Sequence, residues 1–237
     1  MQPSLFRRAA LSAVALVTFT GHSRAEQASF DEVGRQVAIM LQNAHFARLP
    51  FNEETSRRFL ADYLKQLDPS KVYFTQKDVD HFGELYGDSL FKLLVSSKTM
   101  DVATDVYGTF KTRVATRGEM AKKFLKEGDL DFTTNETVIR DRENAAWPKD
   151  DAEADVLLRN ILKEAVISET VMRELQAKMA KDQRKPDPTQ SELPPREKVS
   201  LRYERYLHTV SDAASDEIAD GLLQAVARSY DPHTDYM

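Results

Sequence analysis

From Ser29 onward the apolar positions recur three and four residues apart, the spacing of a helix that buries one face. Phe30, Val33, Val37, Met40 and Leu41 mark a first helix, expected to end near Phe46, before Leu49-Pro50. Asn52 suits the N-cap of a second helix, and Glu53 and Glu54 then sit at its positive end. Its stripe is Phe59, Leu60, Tyr63, Leu64 and Leu67, and Pro69 stops it by disfavouring the α conformation at Asp68. Thr75 with Asp78 reads as a capping box for a third helix. That helix is expected to run through Val79, Phe82, Leu85, Tyr86, Leu90, Leu93 and Leu94, weakened by Gly83 and Gly87. A long fourth helix carries Val102, Val106, Phe110, Val114, Ala121, Phe124 and Leu125 and closes near Gly128.

Asp131 to Ala146 is mostly polar and reads as irregular. Trp147-Pro148 is expected to open the fifth helix, because a proline at the first helical position gives up an N–H that lacks a partner anyway. Asp150, Asp151, Glu153 and Asp155 crowd its positive end. Lys178, Lys181, Arg184 and Lys185 crowd the other, near Gln183. Pro186, Pro188, Pro194 and Pro195 then make a loop or hinge at 186–195. Helical spacing resumes through Leu201, Tyr206, Val210, Ile218, Leu222, Leu223 and Val226, ending at Tyr230-Asp231-Pro232. No pair of alternating strands stands out, so the fold class is all-α. The expected organisation is a helical domain at 26–185, the proline-rich loop, and a helical segment at 196–237.

The first 25 residues read as a cleaved signal peptide. Arg7-Arg8 precede an apolar run of 12 residues from Ala9 to Thr20, and the small Ser23 and Ala25 flank Arg24 in a cleavage-like pattern. Such a run is too short for a membrane span, which takes about 20 residues. A periplasmic location is expected, with no membrane span after cleavage. Removal of Arg7, Arg8 and Arg24 leaves 30 basic against 38 acidic side chains, shifting the net charge from −5 to −8. That balance gives no support to nucleic-acid binding driven by charge.

Composition narrows the chemistry further. With no cysteine, a disulfide framework, a thiolate metal site and a cysteine nucleophile are excluded for this sequence. Eight glycines in 237 residues include no phosphate-cradling GxGxxG or GxxxxGK[ST] pattern. His22, His45, His81, His208 and His233 form neither HExxH nor an i, i+4 pair, and no GxSxG or SxxK signature occurs. No catalytic residue, cofactor or metal ligand is assigned.

Several strings carry a resemblance. Leu67-Asp68-Pro69-Ser70-Lys71-Val72-Tyr73-Phe74 with Asp78 resembles the LDPxKxYF…D string of bacterial tail-specific (C-terminal processing) serine proteases. His45, Ser56, Tyr63 and Leu64 fit the pattern upstream. Trp147-Pro148 and the stretch Asp155 to Lys163 are similar to that family's WP…DxLWRxRxK segment, with Leu158 where the family often has Trp. Arg202-Tyr203 fits the next block. Asp231, Pro232, His233, Thr234 and Tyr236 match its DPHTxY string, which reads as a structural junction.

The resemblance implies the N-terminal helical region of such a protease, ending before a PDZ domain that captures substrate tails and a core with a Ser–Lys dyad. No residue here matches that dyad, so the chain alone is expected to be inactive. The implied partners are the PDZ and protease domains, protein substrates and, as in some relatives, a protein adaptor. Apolar surface awaiting those domains is expected near Lys163–Gln183 and Leu201–Val226. The alternative is a stand-alone exported helical binding module, which predicts no large apolar patch.

Overall fold

The computed structural model describes residues 21–44, 50–128 and 130–230. Most of the expected signal peptide, His45 and the whole DPHTxY junction (Asp231, Pro232, His233, Thr234, Tyr236) lie outside these residues. Among the described residues there are eight α-helices and no strand, so the chain is all-α.

Helix α1 spans Gly21–Ala44, beginning inside the stretch expected as the leader. Helix α2, Glu53–Leu67, starts from Asn52 as expected. The Asn52 side chain accepts from the Thr55 N–H, and the Thr55 hydroxyl accepts from the Asn52 N–H at 2.9 Å. Helix α3, Gln76–Tyr86, opens with the reciprocal bonds of Thr75 and Asp78. The expected third helix does not continue to Leu94. It stops at Gly87, and α4, Leu90–Val95, follows as a separate turn and a half. The two glycines weaken the helix there, and the turn lets Leu90 and Leu94 both reach the interior.

Helix α5, Thr99–Glu127, is the central element and buries Val102, Val106, Phe110, Val114 and Ala121. Residues 130–150 are irregular. Helix α6, Asp151–Asp182, starts later than expected, capped by Asp150 bonding the Glu153 N–H. Pro148 is not its first residue, because the Pro148 carbonyl accepts from the Gln76 N–H at 2.7 Å and ties this stretch to α3. The proline-rich stretch holds a short 3-10 turn at Pro188–Ser191. Pro195 then takes the first position of α7, Pro195–Asp212. The final helical stretch is broken in two, α7 and α8 (Ser215–Tyr230), at Ala213-Ala214. Side chains of α5 account for the stop: Tyr107 donates to the Val210 carbonyl at 3.0 Å and Lys111 to that of Ser211 at 2.6 Å.

Helix α5 is surrounded by α1, α6, α7 and α8, while α2 lies against α8. Gly118 permits the approach of α7, since a Cβ there would meet Leu207 at 2.8 Å. Gln66 donates to the Gly221 carbonyl and Tyr230 stacks on Phe59, so α8 runs antiparallel along α2. Leu222, Leu223 and Val226 are fully buried. The apolar surface expected on 201–226 is therefore mostly core, with Leu201 alone among the large apolar residues there left exposed. The surface expected on 163–183 is present: Ile167, Val171, Met172, Leu175 and Met179 are all exposed on α6.

Candidate functional site

The residues of the sequence strings converge on one place. Where α2 ends, Asp68 closes the helix with its N–H and turns its carboxylate back over the next residues. Oδ1 accepts from the Val72 N–H at 3.0 Å, and Oδ2 accepts from those of Tyr73 and Phe74 at 2.7 and 3.0 Å. The side chain is only 1% exposed. Burial pushes its carboxyl above the ordinary range, against the three N–H bonds and the Arg117 charge, which pull it down. Lys71 takes a left-handed backbone conformation, φ 50°, to make the turn. Its ammonium donates to the Ala145 carbonyl at 2.6 Å and lies 5.4 Å from the Trp147 ring centre. Arg142 adds a bond to the Ser70 carbonyl.

Phe74 packs edge-on against Trp147 at 6.0 Å and close to Phe110 and Phe82. Thus Leu67, Asp68, Pro69, Tyr73, Phe74, Asp78, Trp147 and Pro148 form one knot joining the end of α2, the start of α3 and the approach to α6. Tyr73 extends it to α7, stacking on Tyr206 and sharing a hydrogen bond of 3.1 Å with the Tyr203 hydroxyl. Burial pushes the Tyr73 and Tyr206 phenols far up, so both stay neutral.

Asp78 does more than cap. Arg113 grips both its oxygens at 2.8 and 3.0 Å and reaches Asp151 with its remaining nitrogen. Arg117, 2% exposed, also binds Asp151, and its Nε lies 3.9 Å from Asp155 with no hydrogen-bond partner. Burial would raise the Asp78 carboxyl, but the Arg113 and Thr75 bonds outweigh it and hold it low. The acids at the start of α6 therefore serve as anchors for α5 as well as helix-end charges. Sequence reasoning missed Arg113 and Arg117, since nothing near them in the chain marks their partners.

Beside the knot lies a cleft of about 570 Å³. The Leu67-Pro69 turn, Val72 and Tyr73 form one wall. Leu158, Ile161, Leu162 and Ala165 of α6 form another, with Val199 and Tyr203 of α7 behind. Its lining is mainly apolar, and Arg202 at the rim is bound to Glu169 at 2.8 Å. A second cleft of about 530 Å³ between α5 and α7, with Lys111, Glu119 and His208, holds no motif residue. Among the described residues no three His, Asp or Glu side chains gather as metal ligands. No described helix is long and apolar enough to cross a membrane.

Comparison with known proteins agrees with this convergence. A family model described as the tail-specific protease N-terminal domain matches residues 37–237. A tail-specific protease of Haemophilus influenzae is 28% identical over 204 residues, covering 86% of this chain. The chain spans 27% of the length of that curated relative.

Proposed function

Since the chain belongs to the tail-specific protease N-terminal domain family, we propose that it is the helical scaffold region of a periplasmic serine endopeptidase acting on proteins from their C-terminal tails. In this reading the chemistry resides in PDZ and protease domains, and the helical region positions them. The match across residues 37–237 carries the reading.

The use of the motif residues supports it. Asp68, Asp78, Trp147 and Pro148 are spent on backbone bonds, ion pairs and ring contacts within the chain. That is the pattern of residues that set a shape. Export rests on the Arg7-Arg8 region and the apolar run after it. The Asp231-Pro232 string suits a junction, because proline fixes φ and ends α8.

The test is the mass of the native product in its source cells, detected with an antibody against this chain, followed by a cleavage assay. A product far heavier than 27.0 kDa that degrades an unfolded protein with an apolar C-terminus is expected. The 237-residue chain alone is expected to cleave nothing. A native product at or just below 27.0 kDa would refute the scaffold reading and point to a free-standing binding module.

A further inference from the structure

Helix α6 carries more than scattered exposed residues. Leu158, Ile161, Ala165, Ser168, Met172, Leu175 and Met179 follow one another at spacings of 3, 4, 3, 4, 3 and 4. This is the alternation of a two-helix seam, in which one apolar line faces a partner helix at every turn. The first three positions are the α6 wall of the cleft. The last three are bare, with Met172, Leu175 and Met179 at 52, 48 and 51% exposure. Cleft and bare stripe are thus one track about 32 Å long at 1.5 Å per residue. Its single polar position, Ser168, is bonded to Glu164 of the same helix at 2.8 Å.

Within this chain nothing covers the second half. Helix α7 takes a different face of α6, through Glu169 with Arg202 and Lys198. The 3-10 turn takes another, where Arg173 donates to the Thr189 carbonyl. An uncovered stripe of this length on a charged surface marks an interaction site, and two methionines suit a seam that adapts to its partner.

We propose that this seam is a docking rail for one amphipathic helix of about 20 residues from the remainder of the same polypeptide, lying along α6 from the LDP turn to Met179. The proposal rests on the scaffold reading. It takes its source from the length of the relative, of which nearly three quarters lies outside the stretch this chain matches. The flanking charges fix the chemistry of the incoming helix. Glu164 and Glu169 beside the first half are already paired with Arg140, Arg202 and Lys198. Lys178 and Lys181 beside the second half are exposed. The docked helix carries its own residues at 3-4 spacing, with acids towards the Lys178 end.

The experiment uses the native full-length product with a photo-reactive residue on the rail, Leu175→benzoylphenylalanine, and a control at the exposed Glu197 of α7. A cross-link within one polypeptide, mapping to a helical segment with 3-4 apolar spacing, is the expected result. A cross-link to a second copy, a cross-link to a different protein, or a yield no higher than at Glu197 would overturn the rail. A parallel reading is limited trypsin digestion of the same product. Leu175→Asp is expected to speed cleavage after Lys178 and Lys181 about tenfold, because the docked helix no longer shields them. Unchanged cleavage would count against the rail. None of these outcomes touches the scaffold reading, which stands or falls on the mass of the native product.

Discussion

The Asp68 carboxylate satisfies three backbone donors from a position water does not reach. Asp68→Ala strands all three, and leaving a buried donor unpaired costs about 1–3 kcal/mol. A loss of about 3 kcal/mol or more is expected in urea unfolding, and a loss below about 1 kcal/mol would show that the turn holds without it. Asp78 answers differently to acid. Its folded carboxyl lies below the ordinary range, so it contributes stability above the unfolded pKa that fades as pH falls through the folded one. For Asp68 the folded carboxyl lies above that range, so ionisation weighs against the fold near neutrality and protonation relieves it. Relative to the unchanged protein, the deficit of Asp78→Asn should shrink between about pH 7 and pH 4, and that of Asp68→Asn should widen. Parallel urea series at the two pH values decide it, and deficits that move together would contradict the opposed signs.

At the scale of elements, what the sequence shows and what it hides divide by distance along the chain. The caps at Asn52 and Thr75 are legible because donor and acceptor lie three residues apart. Asn52→Ala is accordingly expected to cost about 1 kcal/mol and Asn52→Gly a few tenths, a difference that thermal unfolding of the two variants resolves. If both cost the same, the side-chain bond contributes nothing. The start of α6 was not legible at Trp147-Pro148, because the Pro148 carbonyl is claimed by Gln76, remote in sequence. The end of α7 was hidden for the same reason, its last carbonyls being met by Tyr107 and Lys111 of α5. The knot shows the same limit. Its residues were readable as a recurring string, but Asp68 as a cradle for three N–H groups, and Arg113 and Arg117 as clamps, exist only once α2, α5 and α6 are packed. The apolar excess on α6 was legible, since helical periodicity alone exposes too many faces for one neighbour to cover.

At the scale of the whole molecule, the proline-rich loop and the core follow different divisions. The loop at 186–195 interrupts the helical pattern, yet the apolar cluster draws Val199, Val210, Leu222, Val226 and Tyr230 from beyond it. These pack with Phe59, Tyr63, Val106 and Phe110 from before it. The helix pairs that cross the loop, α2 with α8 and α5 with α7, are among the most extensive in the chain. A chain ending at Lys185 would therefore keep every helix from α1 to α6 and lose one wall of its interior. Leu222, Leu223 and Val226 alone each bury a side chain worth about 1.5–3 kcal/mol. Their joint loss is comparable to the whole stability of an ordinary domain, about 5–15 kcal/mol. The shortened chain is expected to retain much of its far-ultraviolet helix signal while losing near-ultraviolet signal and binding a hydrophobic dye. If instead it unfolds in one sharp urea transition with its aromatic signal intact, the helices before the loop form a core of their own. The last two helices would then be a separate layer laid upon it.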